Sequence, residues 1–383
     1  MTFSLVPVLG LAALDGVAHT FVFLVMISIL IVLHEGGHFL VARWNGVRVN
    51  DFALGMGPTL LKWTSPRSGT NYRLNLLPIG GYCAMQGEDG KTSEAEQQRQ
   101  FRTAMGTLDS SDNFQSKKPL QRLAIVAAGP VANIIVTFVI LLFSAVAFGI
   151  ATDANSTLVG QVKAGSPGAR AGLQFGDRIL SIDGLPVTSG KAMVERIHNS
   201  ANVPLTLRYE RGGVAGEMRV TPEAVNEGGK TEGRIGFAVI PKFERVGLFK
   251  GVSDAWSGTV SLFVGNIVGV ADLLAHPIDR FQHVSGVIGM GRAASQLQDL
   301  GWAPYLQLAA GISMALGIFN LLPIPALDGG RGIFILAEML RGKPIDPERE
   351  AFVHVTGFAL LMVLMIFVAY HDIANLVAGK GVF

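Results

Sequence analysis

Charge and cysteine are both scarce in this sequence. Asp, Glu, Lys and Arg make up 16% of the 383 residues, where an ordinary soluble domain carries roughly 25%. Hydrophobic residues reach 49% and mean hydropathy is +0.41. So few charges cannot cover the surface of a water-soluble chain of this length, and the same apolar content excludes disorder. The single cysteine, Cys83, excludes a disulfide scaffold, and a formal net charge of +2 leaves no basic surface for nucleic acid. No Lys or Arg precedes Arg43, so the positively charged start of a cleavable leader is missing and the first apolar stretch is expected to stay in the mature chain.

What the chain has in quantity is long apolar sequence. Crossing about 30 Å of hydrocarbon takes roughly 20 residues at 1.5 Å each. Four stretches meet that test, at 20–42, 123–150, 304–322 and 352–370. A fifth, 257–275, is weakened by Gly258, Gly265, Asn266 and Gly269 and is expected to be an interfacial or docking helix. Basic residues mark the cytoplasmic ends: Arg43 and Arg48, then Lys117, Lys118 and Arg122, then Arg331, Arg341, Lys343 and Arg349. Both termini and the long 151–302 segment are then expected outside. The expected fold is a polytopic α-helical membrane protein of about four transmembrane helices with one inserted α+β domain. Its parts are 1–150, 151–245, 246–302 and 303–383.

Inside the first span lie His34, Glu35 and His38, in the order His-Glu-Gly-Gly-His. On a helix, this H-E-x-x-H spacing puts two imidazoles on one face with a carboxylate beside them. Two neutral imidazoles can fill two tetrahedral positions of a zinc ion, and the unligated glutamate can take a proton from water at the metal. The bland alternative is a pair of buried histidines satisfied by their neighbours. Depth weighs against it, since an Asp or Lys at a helix centre costs about 2.5–3.5 kcal/mol on insertion scales. His34 lies on the order of 13 Å along the helix from Arg43, within the bilayer and nearer the inner face.

A third ligand is expected where the third span ends, in Asn320-Leu321-Leu322-Pro323-Ile324-Pro325-Ala326-Leu327-Asp328-Gly329-Gly330. Two prolines break the helix there, and Asp328 stands three residues before Arg331, at the depth of the histidine pair. Asp-Gly is also an ordinary turn signal, and Asp328 alone reads as a cap. Beside two imidazoles that lack a partner, it reads as a ligand. The other histidines lie on the outer side or lack paired spacing.

These motifs, in their order, resemble the site-2 protease family of intramembrane zinc metalloproteases, in its bacterial branch with a periplasmic PDZ domain. The resemblance runs through HEGGH at 34–38, GGYCAMQGE at 80–88, AAGPVAN at 127–133, GSPGARAGLQFGDRILSIDG at 165–184 and NLLPIPALDGG at 320–330. It implies zinc on His34, His38 and Asp328, Glu35 as catalytic base, and Asn320 and Pro323 at the substrate backbone. It also implies a multi-pass protein of the bacterial inner membrane that cuts transmembrane proteins within the bilayer. Such substrates include a trimmed anti-sigma factor or signal-peptide remnants. Two departures stand out: Arg331 occupies a position often held by histidine, and there is room for one PDZ domain where better-known relatives carry two.

Short alternating segments at 156–162, 178–182, 205–209 and 217–221 predict strands of the outer domain. This domain either accepts an extended peptide as an added strand or acts as a plug. The segment 71–86, interrupted by Pro78, Gly80 and Gly81, predicts a membrane-associated hairpin or loop near the zinc, which either holds unwound substrate or caps the cavity. Asn133 is read as a helix-packing residue that hydrogen-bonds across helices or lines the cavity, and with Gly80 and Gly81 it is counted among the expected substrate-binding residues. The polar stretch around Gln97, Gln98 and Gln100 is expected to be mobile. Two rival readings share these residues, a metal transporter and an inactive scaffold. Replacing Glu35 with Gln, and a cleavage assay with a zinc chelator, separate them.

Overall fold

Helices that are apolar all round have no solvent face to present, and they dominate the chain. The computed structural model describes residues 6–88, 112–152, 156–163, 165–227, 230–239, 242–276, 286–299, 301–343 and 345–377. The glutamine-rich stretch around Gln97 lies outside them. Helix α1 runs Val6–Trp44 and carries the H-E-x-x-H residues in its last third. It ends where Gly46 takes a left-handed φ of 68°.

Strands β1 (Val49–Thr64) and β2 (Asn71–Met85) form an antiparallel hairpin, paired from Val49 with Met85 to Thr64 with Asn71. Only the second strand is foreshadowed in the sequence. Gly55, Gly57 and Pro58 break the alternation of the first, and Gly55 (φ 78°) and Gly57 (φ 84°) sit where the register shifts. Met56, Leu60, Leu61, Trp63, Leu76 and Leu77 are exposed on the hairpin, an apolar surface unsuited to water.

Helix α2 (Pro119–Ala147) starts with proline at its first position, where a missing N–H costs nothing. The chain then builds a β-rich segment. Its strands are β3 (Ile150–Thr152), β4 (Val159–Val162), β5 (Arg178–Ile182), β6 (Leu185–Pro186), β7 (Leu205–Arg211), β8 (Val214–Val220), β9 (Glu223–Glu227), β10 (Lys230–Arg234), β11 (Phe237–Val239) and β12 (Lys242–Glu244). Two short helices, α3 (Pro167–Arg170) and α4 (Gly190–His198), are inserted. A four-stranded sheet in the order β6-β5-β7-β8 is antiparallel throughout. Two-residue turns with positive φ close its hairpins, at Asp183-Gly184 and Gly212-Gly213. Val159, Leu173, Ile179, Ile182, Met193, Leu207 and Ile235 fill the core. Beside it the carboxylate of Asp177, itself fully buried, receives Arg211 Nε at 2.6 Å, Arg211 Nη2 at 2.7 Å and the Gln174 N–H at 2.9 Å.

Helices α5 (Leu248–Ala275), α6 (Val287–Asp299), α7 (Trp302–Leu321), α8 (Asp328–Arg341) and α9 (Pro347–Val377) complete the chain. Five described helices are long and apolar enough to cross a membrane, one more than the four stretches expected. The addition is α5, in which the interruptions do not break the helix: the Asn266 side chain donates to the Leu262 carbonyl at 2.8 Å, and Gly258 faces Leu141. Small and polar residues of this kind are ordinary in membrane helices.

The chain divides into two compact units. One comprises Met1–Leu141, Ala255–Ser295 and Leu306–Ile373, and the other Leu142–Asp254, Gln296–Tyr305 and Ala374–Phe383. The residues of the candidate centre all belong to the first.

Candidate metal centre

The i, i+4 spacing puts His34 and His38 on one face of α1, their rings edge to face with centroids 4.9 Å apart. Their Nε2 atoms stand 3.3 Å from each other. Asp328 brings Oδ2 to 3.1 Å from His34 Nε2 and 3.3 Å from His38 Nε2. Both histidines are buried, and Asp328 Oδ2 is a buried oxygen without a hydrogen-bond donor.

Three atoms in a triangle of this size match a tetrahedral ion. Ligands about 2.0–2.2 Å from zinc stand about 3.3–3.6 Å apart. Two imidazole nitrogens and one carboxylate oxygen are also zinc's usual donors, and together they are the three-residue group among the described residues able to hold a metal. Glycine at 129 keeps the place open: a Cβ there would fall on His38 Nε2 and against His34 Cε1. Gly37 permits the close approach itself, because a Cβ on it would meet the Ala128 carbonyl of α2. Glu35, half-buried, lies on the turn between the two histidines.

Each imidazole is held from behind. His38 Nδ1–H donates to the Ile125 carbonyl at 2.8 Å, which leaves Nε2 as its lone-pair nitrogen. His34 Nδ1 faces the Asn133 amide at 3.0 Å.

Asp328 opens α8 after a broken segment, as its two prolines predict. Gly329 and Gly330 pass under the carbonyls of Leu321, Leu322 and Ile324, with no room for a Cβ at either. Ala326 takes φ 76°, a left-handed conformation costly for any residue but glycine, and its N–H is caught by His354 Nδ1 at 2.9 Å. Gly357 of α9 lies against Pro325. Arg331 pairs with Glu88, whose other oxygen accepts the Met85 N–H at 3.1 Å, so the hairpin is tied to the turn that presents Asp328.

The sequence-predicted substrate residues are dispersed. Gly81 lies where β2 crosses α1 beside Ile31 and Val32, and Gly80, with φ 80°, lies against Met56. Asn320 is half-buried and Pro323 exposed at the end of α7. Asn133 is fully buried behind His34 and does not line an open cavity. Sequence reasoning reads Gly129 as a helix-packing residue and gives no role to Ile125, Glu88 or His354. A backbone carbonyl such as that of Ile125 leaves no mark in sequence, and His354 has no second histidine at helical spacing to draw notice, its neighbour one turn earlier being Glu350 at 4.0 Å. Cys83 is buried, and burial, with the charges of Glu35 and Glu88, pushes its thiol well above its usual range.

A family model described as peptidase family M50 matches residues 22–364. A Rhizobium meliloti (strain 1021) chain named as a zinc metalloprotease is 32% identical over 373 residues, covering 94% of this chain and 98% of its own. The regulator of sigma-W protease RasP of Bacillus subtilis (strain 168) is 30% identical over 421 residues, covering 92% and 98%. The solved PDZ domain of an SdrC-like protein from Listeria monocytogenes is 25% identical, covers 24% of this chain and 92% of its own, and has a TM-score of 0.20.

Proposed function

Because the chain belongs to peptidase family M50, the site-2 proteases, and is a multi-pass zinc metalloendopeptidase, we propose that it cuts transmembrane proteins within the bilayer, toward the cytoplasmic face. His34, His38 and Asp328 hold the zinc, and Glu35 is the base. The observation that carries this reading is the convergence of those three side chains from α1 and α8 on one point.

Bound there, zinc supplies Lewis acidity toward the scissile carbonyl and acidity to water. The Glu35 carboxylate takes the proton of the attacking water and passes it to the leaving amide nitrogen. The Ile125 carbonyl keeps the His38 ring turned with Nε2 toward the centre. A helical substrate buries its peptide groups, so it must unwind before reaction. Among the described residues β1 and β2 pair only with each other, which supports extended binding of substrate as a third strand, with Asn320 and Pro323 as further contacts to its backbone.

Basic residues at 43–48, 117–122 and 331–349 favour the cytoplasm for the loops they occupy, and so place the β-rich segment and both termini outside. The position of α6 supports four crossings. Its Gly291 faces Phe23 and its Ser295 hydroxyl meets His19 Nδ1 at 3.0 Å, both in the outer half of α1. Nine residues separate His276 from Gly286 and reach about 30–35 Å, so a crossing by α5 would leave them the whole membrane to recross. An interfacial α5 avoids that.

The outer sheet and its short helices support a PDZ-like domain that takes an extended peptide or excludes bulky substrates. RasP is named as a regulator of sigma-W, and by analogy this chain acts in regulated intramembrane proteolysis, on a substrate such as an anti-sigma factor already trimmed outside. In an assay of purified protein on a transmembrane peptide, Glu35→Gln should abolish cleavage and keep one zinc per chain. Loss of zinc with proteolysis intact would overturn the roles given to these residues.

A further inference from the structure

The Asn133 amide stands behind His34 as the Ile125 carbonyl stands behind His38, with one difference. A carbonyl can only accept, whereas an amide can present either end. The Nδ2 of Asn133 lies 3.0 Å from His34 Nδ1, and its fully buried Oδ1 has no partner. In this orientation Nδ2 donates to Nδ1, and the His34 proton must reside on Nε2, the atom that faces Asp328 and His38. An imidazole protonated at Nε2 has no lone pair there for a metal.

Rotating the amide by half a turn exchanges oxygen for nitrogen in an unchanged outline. Oδ1 then accepts from His34 Nδ1–H, and the Nε2 lone pair faces the centre. The residue is well placed to hold this contact. Its backbone carbonyl accepts the Thr137 hydroxyl at 2.9 Å and the Ser313 hydroxyl at 3.0 Å, which pins this turn of α2 against α7.

We propose that Asn133 is a positioning residue for the metal: through Oδ1 it selects the Nδ1–H tautomer of His34 and thereby sets zinc affinity. The proposal rests on His34 being a ligand. Zinc dissociation constants, measured by chelator competition on the full chain in detergent, test it. Asn133→Leu, which cannot accept, should weaken zinc binding about 10- to 100-fold, while Asn133→Asp, which can, should stay within about threefold of the parent. His34→Ala separates the two claims. If it leaves affinity unchanged, His34 is not a ligand; if it lowers affinity and Asn133→Leu does not, only the role of Asn133 falls. An Asp variant as weak as the Leu variant also overturns it. Nitrogen NMR of the zinc-loaded parent chain, labelled at histidine, needs no variant to fold: the His34 Nδ1 must carry a proton, and a proton-free Nδ1 contradicts the proposal.

Discussion

Glycine 129 shows how much can rest on the absence of one side chain. In a helix interior Gly→Ala normally gains about 0.5–1 kcal/mol. Here the added methyl would occupy the space beside both imidazoles. Gly129→Ala should therefore lose that gain to the clash with the two buried rings, destabilise the metal-free fold by about 1–3 kcal/mol, and lower zinc occupancy about tenfold, an effect comparable to losing a supporting contact. Thermal melting of the metal-free chain and zinc content of the purified chain would check both halves. Cys83 gives a second test at this scale. With its thiol buried and raised well above the usual range, it should resist alkylation near neutral pH in the folded chain and react readily after denaturation. Rapid labelling of folded protein would show that the hairpin does not cover it. At this scale His34, Glu35, His38 and Asp328 were all legible, because ionisable groups in apolar sequence stand out. The atoms that orient them were not: one is a main-chain oxygen, and Asn133 and Gly129 read as packing.

Elements position Asp328 by attachments on either side of it, one on the turn before and one on the first turn of α8. His354 of α9 holds the Ala326 N–H, and Glu88 at the end of the hairpin holds Arg331. Replacing His354 with leucine leaves a partly buried N–H unpaired on an already strained residue, a cost of about 1–3 kcal/mol. His354→Leu should lower the melting temperature and weaken zinc binding together, since the turn and the ligand move as one. In the β-rich segment, removal of the buried Asp177 carboxylate leaves the Gln174 N–H without its acceptor, while the half-exposed Arg211 keeps the Gly172 carbonyl. Asp177→Ala should destabilise that segment by about 1–3 kcal/mol, read from denaturant unfolding. The strands at 178–182 and 205–209 were predictable from alternation between turn residues. The first strand of the hairpin was not, because Gly55, Gly57 and Pro58 erase the period of two while providing the bends it needs. Helix α5 reads in sequence as a helix weakened by its glycines, and it runs unbroken through them.

The whole molecule brings residues nearly 300 positions apart onto one point in apolar surroundings, and the account rests on that meeting. On the proposed topology of four crossings both ends of the chain lie outside, so a reporter fused after Phe383 should be active on the outer face; activity in the cytoplasm would contradict that topology. Order of motifs along the chain carried the family resemblance, whereas pairing across α1, α2 and α8 could be seen only once the chain was folded. The most direct measurement is the zinc bound per chain in purified Asp328→Ala beside the parent protein, with cleavage of a transmembrane peptide followed in the same samples. The account predicts about one zinc in the parent, a marked loss of zinc in the variant and no cleavage by it. A variant that kept its full zinc and cut at the parent's rate would show that Asp328 and the two histidines do not share a metal.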